Sequence, residues 1–421
     1  MTARPVRACL ITNPRGGRGA LDLTDALPVL RAAGWEVVVR QKDHGGAATE
    51  IARAAAAEGC DVVVDCGGDG TLNEIVAGLV GTDVAVGVLP GGTVNLWANE
   101  LGIDGRLRIA ATQLVGAVRH RVDVGCVTAN GAHAQYFLLV AGLGLDGAVM
   151  ARVSKPLKKR LGQVAVGLAA LQALPSFSSF PVRARLDDLP WEGRVAQIIV
   201  GNTRRYGGFT AATPAALADD GQLDVCLIRA DGLLAAGRQL GALVFAGHPS
   251  KDSAETYRVA RATVAAAQPL PLQLDGGDGT IDDLDAGAEG VTYAFSTIAR
   301  GISVLVPRTY DGTLFRAGTA AEAPPAAPRP GQGRKGRWLR VLAVGAETIT
   351  AARVKDGRVV TIAAGRKVVA KDAGKARQPW PDFLAGLVPG DLLRVRGRRD
   401  RRRGRIRARR ARLYRPENAG Q

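Results

Sequence analysis

Between residues 5 and 102 short apolar runs alternate with Ala-rich amphipathic stretches: ACLIT, a helical pattern over 21–33, EVVVR, another over 47–58, DVVVDC, a third from Thr71, then VAVGVLP. Strands alternating with helices at this spacing predict a parallel sheet with helices on its faces. Ligands of such sheets bind at the carboxyl ends of the strands, which is where this segment carries its glycine turns. From about Val122 to Val306 the pattern changes to β-type runs (YFLLVAGL, PVRARL, AQIIVG, LDVCLI, YRVARATVAA, LPLQLDG, VTYAFSTIA, GISVLVP), with helical patterns at 157–174 and 231–245. That predicts a mainly antiparallel β-sandwich domain over 123–300, after an α/β domain over 1–122 to which the chain returns near 301–316. Residues 317–333 (AGTAAEAPPAAPRPGQG) have no periodic core signal and read as a linker. Beyond it, WLRVLAVG, TITAARV, RVVTIAA, LLRVRG and RIRARRARLY are separated by turn residues such as Lys355-Asp356-Gly357 and Pro389-Gly390-Asp391. These predict a small all-β, OB-like barrel over 334–416.

Charge changes the picture only at that third segment. The chain has 421 residues, 47% hydrophobic, with a formal net charge of +17, an ordinary globular composition apart from its basicity. Residues 331–421 hold 25 Lys and Arg against 7 Asp and Glu, so the whole excess lies in the last fifth. The five cysteines (Cys9, Cys60, Cys66, Cys126, Cys226) are scattered with no CxxC pair, which suits reduced thiols in a cytoplasmic protein better than a disulfide framework. The N-terminus runs straight into a strand, so no secretory leader is expected, and the apolar stretch at 161–174 falls short of the roughly 20 residues that span a bilayer.

Three glycine turns follow strands of the first domain: NPRGGRG at 13–19, CGGDGTLNE at 66–74 and PGGTVN at 90–95. Glycine lets backbone amides approach phosphate closely, and a following helix N-terminus adds a favourable dipole. One such loop would read as a tight turn and nothing more. Three in succession, with Asp69 and Thr71 between, favour a polyphosphate cradle. They are neither a Walker A loop, since no Gly-Lys-Ser/Thr follows, nor a GxGxxG dinucleotide fingerprint.

The pairing of GGDGT-x-Asn73-Glu74 with PGGT-x-Asn95 resembles the diacylglycerol kinase catalytic domain, shared by bacterial lipid kinases and sphingosine kinases. The likeness continues through VDVG at 122–125, YFLLVAGLGLDG at 136–147, LKKRLG at 157–162, GNTRRYGG at 201–208, DDGQLDV at 219–225 and LQLDG at 272–276, covering roughly residues 5–310. It implies ATP in the interdomain cleft, held by Asn13, Gly67, Gly68, Asp69, Gly70, Thr71, Gly91, Gly92 and Thr93, with Glu74 and Asn95 of the same motifs. It implies Mg2+ near Asp69 and Asp123, a second metal site near Lys158 and Asp220, and Asp275 as the base that takes the proton from a lipid hydroxyl. Phosphoryl transfer needs those parts: a metal on the phosphate oxygens and a carboxylate in reach of the acceptor proton. By its residues alone Asp275 has a second, less favoured reading as the cap of the turn at Gly276-Gly277.

The chain departs from the family at two positions. Gly277 replaces the usual Glu after Asp-Gly, followed by an acidic insertion (Asp278, Asp282, Asp283, Asp285, Glu289), and Leu96 replaces the Asp that commonly follows Asn95. His44, His120, His133 and His248 have no metal-ligand spacing, and neither GxSxG nor HExxH occurs. The expected activity is a lipid kinase, diacylglycerol first among acceptors and a sphingoid base or another hydroxyl lipid next. The rivals are a kinase of the NAD kinase type, which shares GGDGT, and a non-catalytic nucleotide or lipid sensor. For the arginine-dense run at 394–415 the expected partner is an anionic membrane, placing the enzyme at the inner face of the membrane. Nucleic acid is the rival, but stacking aromatics are few: Trp338, Trp380, Phe383 and Tyr414. The sequence leaves the oligomeric state open.

Overall fold

The structure is a computed structural model. It describes residues 5–14, 21–144, 179–206, 210–229, 254–278, 290–310, 312–316, 337–344, 348–353, 359–371, 377–378, 392–400 and 405–414.

The first layer is β1 (Arg7–Thr12), β2 (Glu36–Gln41), β3 (Val62–Cys66) and β4 (Ala85–Val88), parallel in the order β2-β1-β3-β4. The helices are α1 (Leu27–Ala32), α2 (Ala47–Ala57), α3 (Asp69–Leu79), α4 (Leu96–Glu100) and α5 (Leu107–Val115). The helical pattern at 21–33 is in fact a 3-10 turn, Leu23–Asp25, then α1, which starts at Leu27 with Pro28 in its first turn. Leu10, Ile11, Leu30, Leu72, Ile75, Leu79 and Leu89 are among its largest fully buried side chains. Strands buried on both faces account for the unbroken apolar runs ACLI and VVV.

The second domain has two sheets. One continues the first: β5 (Val118–Ala129), β6 (Gln135–Phe137), β8 (Phe180–Leu186), β9 (Leu189–Val195), β15 (Arg261–Ala266) and β18 (Val291–Val306). The other has the order β14 (Ala254–Val259), β13 (Leu223–Ile228), β10 (Gln197–Gly201), β7 (Val140–Gly144), β16 (Leu272–Leu274), β17 (Gly277–Asp278). A two-strand ribbon, β11 (Arg205–Tyr206) with β12 (Thr210–Ala211), stands apart. Between the two sheets Phe137, Leu143, Val200, Val225, Leu274, Tyr293 and Phe295 form one core.

β18 joins the two domains. Its first half pairs antiparallel with β15, Ser303 and Val304 pair parallel with β4, and β5 runs beside both halves across a bulge between Ile298 and Ile302. The run YRVARATVAA is two strands in different sheets. The Asp187 carboxylate accepts from the amides of Ala260 and Arg261 and fixes the corner between them. The helical patterns at 157–174 and 231–245 lie outside the described residues, as do Lys158 and residues 279–289.

The C-terminal strands are β19 (Arg337–Val344), β20 (Thr348–Arg353), β21 (Val359–Lys371), the short β22 (Arg377–Gln378), β23 (Leu392–Asp400) and β24 (Arg405–Tyr414). They close in the ring β20-β19-β23-β24-β21-β20, in which only β21 and β24 run parallel. This is a five-stranded barrel of OB type. Ile349, Ala351, Ile362, Leu393 and Val395 are buried.

Candidate active site

Four strand ends make the floor of the site: Thr12-Asn13 after β1, Lys42 after β2, Cys66-Gly67-Gly68 after β3 and Pro90-Gly91-Gly92 after β4. The second and third glycine loops are stitched by the Gly91 amide donating to the Gly67 carbonyl at 2.8 Å. Their approach is too close for side chains. A Cβ on Gly91 would lie 2.6 Å from the Cys66 carbonyl oxygen, one on Gly92 2.6 Å from the Gly68 Cα, and one on Gly67 2.6 Å from the Thr71 Oγ1. Gly70, exposed with open space about its Cβ position, has no such constraint. Gly68 caps α3, so the first amides of that helix open onto the loop. Asn13 Nδ2 donates to Thr71 Oγ1 at 3.2 Å, tying the first loop to the second. Asn95, left-handed at φ 53°, holds its own loop: its Oδ1 accepts from the Gly92 amide and its Nδ2 donates to the Gly92 carbonyl. Thr93 is exposed on the rim.

Asp275 lies across from this cradle. It is 1% exposed, in a left-handed turn conformation (φ 50°). Its Oδ1 accepts from the amides of Leu139 (2.8 Å) and Val140 (2.9 Å), and its Oδ2 from the Leu138 amide (2.8 Å) and Asn73 Nδ2 (3.0 Å). The carboxylate therefore does not cap its own turn. Burial pushes its pKa up to about 6, against the lowering effect of those four donors. Asn73 lies on α3, one turn beyond Asp69, and also donates to the Tyr136 carbonyl at 2.7 Å. One helix thus carries the phosphate-loop amides at its start and touches the buried carboxylate from its second turn.

The other predicted residues fall as follows. Asp69 opens α3 and accepts from the Trp97 amide, and burial raises its carboxyl. Glu74 does not face the cradle with a free carboxylate: it pairs with Lys42 and accepts from the Ala48 amide at 3.1 Å, joining α3 to the start of α2. Asp123 is fully buried, its oxygens accepting from the Arg300 amide (2.7 Å) and the Gly221 amide (2.5 Å), and burial with neighbouring Asp220 and Asp219 raises its carboxyl. Asp220 accepts from the Gln222 amide. The resemblance implied Asp69, Asp123 and Asp220 as metal carboxylates, but among the described residues no three His, Cys, Asp or Glu converge on a metal-sized site. Asp123 instead ties β5 to the 219–221 loop and to β18. Leu96, where the family's carboxylate would stand, packs in the first-domain core.

The polyphosphate of ATP fits the cradle, because side chains are excluded where backbone amides must approach. Of the carboxylates implied for a metal, Asp69 is the one at the start of the cradle's helix, and it accepts from backbone amides of the 95–97 segment.

Sequence reasoning gave no role to Lys42, Asp65, Asn73 or the 138–140 amides. Asp65 is 2% exposed, accepts from the Gly67 amide at 2.8 Å and is pushed well above the carboxylate range by burial. An acid inside the apolar run DVVVDC was the available signal. Lys42 and Glu74 form a largely buried pair. Lys42→Met should cost about 2–4 kcal/mol in urea unfolding, because the Glu74 carboxylate keeps its burial and loses its cation. A loss under 0.5 kcal/mol would mean the pair is solvated.

Two family models match the chain: the diacylglycerol kinase catalytic domain over residues 7–127, and the YegS C-terminal NAD kinase beta sandwich-like domain over 140–282. The diacylglycerol kinase of Bacillus subtilis (strain 168) is 32% identical over 276 residues, 64% of this chain and 89% of that protein. A "Probable lipid kinase YegS-like" protein of Xanthomonas oryzae pv. oryzae (strain MAFF 311018) is 33% identical over 276 residues, 63% of this chain and 88% of its own. A crystal structure described as a diacylglycerol kinase from Bacillus anthracis str. Sterne superposes with a TM-score of 0.54 at 22% identity, covering 72% of this chain and 98% of that one, which establishes a shared fold.

Proposed function

This chain belongs to the diacylglycerol kinase family and is a lipid kinase, and from that premise we propose that it transfers the γ-phosphate of ATP, with Mg2+, to a lipid hydroxyl for which Asp275 is the base. The observation that carries the reading is the contact between Asn73 and Asp275, which sets a buried carboxylate of raised pKa against the same helix that opens the phosphate cradle.

The chain's own groups supply three things. Backbone amides of the glycine loops and the start of α3 hold the phosphates, and Asp69 would hold magnesium, which when bound neutralises charge on the phosphate oxygens. The lipid oxygen attacks the γ-phosphorus, the bond from phosphorus to the bridging oxygen of ADP breaks, and the hydroxyl proton passes to Asp275. All four acceptor positions of that carboxylate are filled, so a donor must yield to the substrate hydroxyl. Asn73 can yield, since its Nδ2 keeps the Tyr136 carbonyl at 2.7 Å.

Diacylglycerol, giving phosphatidic acid, is the first acceptor, in line with the names of the relatives. A sphingoid base or other lipid with a second donor beside its hydroxyl is the alternative, favoured by the Gln273 amide oxygen, which is buried without a partner among the described residues. Transfer of labelled γ-phosphate to a lipid panel tests both.

The barrel is read as a dock on anionic membrane, holding the enzyme as a peripheral protein at the cytoplasmic face. Register sets Arg394 opposite Arg412 and Arg396 opposite Arg410 between β23 and β24. Like charges directly opposite destabilise a sheet, which favours a polyanionic ligand over a purely structural role. No described helix is long and apolar enough to cross a membrane. In the full chain, Arg394→Glu with Arg396→Glu and Arg410→Glu should weaken sedimentation with phosphatidylglycerol vesicles by at least about a hundredfold, at about 1 kcal/mol per basic residue. Unchanged vesicle binding with lost oligonucleotide binding would assign the face to nucleic acid instead.

A further inference from the structure

Gln273 lies two residues before Asp275, about 7 Å away along the strand. Its neighbours Leu272 and Leu274 point into the sandwich core, so Gln273 lies on the other face of that sheet. It is 7% exposed, and its Oε1 is buried with no hydrogen-bond partner among the described residues. A buried amide oxygen left unpaired costs stability, so its retention calls for a reason.

The row it starts is informative. Register sets Gln273 opposite Gly142, Gly142 opposite Ile199 and Ile199 opposite Cys226. Ile199 and Cys226 continue the row in a small apolar cluster on this face, where burial pushes the Cys226 thiol up to about 12. On this buried face of the sheet a polar acceptor stands at the end near the base and apolar side chains stand beyond it.

Resting on the lipid-kinase reading, we propose that Gln273 is a specificity residue for the acceptor: its carbonyl oxygen accepts from an N–H or O–H on the carbon next to the one bearing the reacting hydroxyl. A second hydroxyl and an amino group share that chemistry. A diacylglycerol, with an ester there, can be phosphorylated but leaves the oxygen unpaired.

The test uses the full chain with ATP and Mg2+ and mixed micelles of hexadecan-1-ol, hexadecane-1,2-diol, 2-aminohexadecan-1-ol or dioleoylglycerol. The wild type should favour the diol or the amino alcohol over the plain alcohol by about tenfold or more in kcat/KM, and whichever is favoured identifies the donor. Gln273→Leu should bring that ratio to near one, leave the KM for ATP within about twofold, and keep or raise the Tm, since an unpaired buried amide is exchanged for an apolar group of similar size. A preference that survives Gln273→Leu, or a Tm lowered by several degrees, overturns the inference. Turnover of dioleoylglycerol with no preference among the other three overturns it alone. Transfer to no lipid at all overturns the lipid-kinase reading and this inference together.

Discussion

Asp275→Asn should lower phosphate transfer to lipid by about a thousandfold or more, while ATP affinity stays within about threefold. General-base contributions run to roughly 10²–10⁴, and here the base also aligns the acceptor. The substitution is not isosteric in hydrogen bonding. The carboxylate accepts four donors, and an amide would turn its NH2 against two of them, so the variant should also lose about 1–3 kcal/mol of stability. Nucleotide affinity is the control for folding. In the wild type the base must be ionised to accept a proton, and burial sets its pKa near 6. Activity should therefore be full above pH 7 and fall about tenfold per unit below pH 6. A profile flat from pH 5 to 8 would remove Asp275 from that role.

The second large effect is expected at Gly92. Its missing side chain is what lets the PGGT loop rest on the GGDGT loop, with an added Cβ placed 2.6 Å from the Gly68 Cα and 2.8 Å from Asn95 Oδ1. The neighbour on one side is backbone and cannot rotate away. Gly92→Ala should therefore part the loops, cost about 1–3 kcal/mol in stability, and weaken ATP binding by roughly ten- to hundredfold in calorimetric titration. Gly70→Ala, in the same motif but with open space at its Cβ position, should bind ATP within about threefold of wild type. Equal losses at both positions would show that the glycines serve chain flexibility and not the close contact between the loops.

How much of the fold is legible in the sequence follows the range of the interactions. Parallel strands, glycine turns and the all-β barrel were legible because each depends on local alternation and local turn chemistry. The Asp187 corner that splits YRVARATVAA was not, because its acceptor is more than seventy residues from the amides it binds. Asn73 was visible in its motif but without a role, since its partner Asp275 is 202 residues away. Glu74 and Asp123 were assigned by family position, and the structure shows what position alone omits: one is paired with Lys42, and the other is filled by two backbone amides. Gln273 had no sequence signal, because an unpartnered buried oxygen is a property of packing alone.

Phosphate transfer to lipid through Asp275 is read by incubating the full chain with γ-labelled ATP, Mg2+ and anionic vesicles carrying diacylglycerol, a sphingoid base and monoacylglycerol, and separating the lipid products. Label should appear on a lipid phosphomonoester with the wild type and none above background with Asp275→Asn, at comparable ATP affinity. ATP binding without label on any lipid, or labelling that Asp275→Asn leaves intact, would contradict transfer through Asp275.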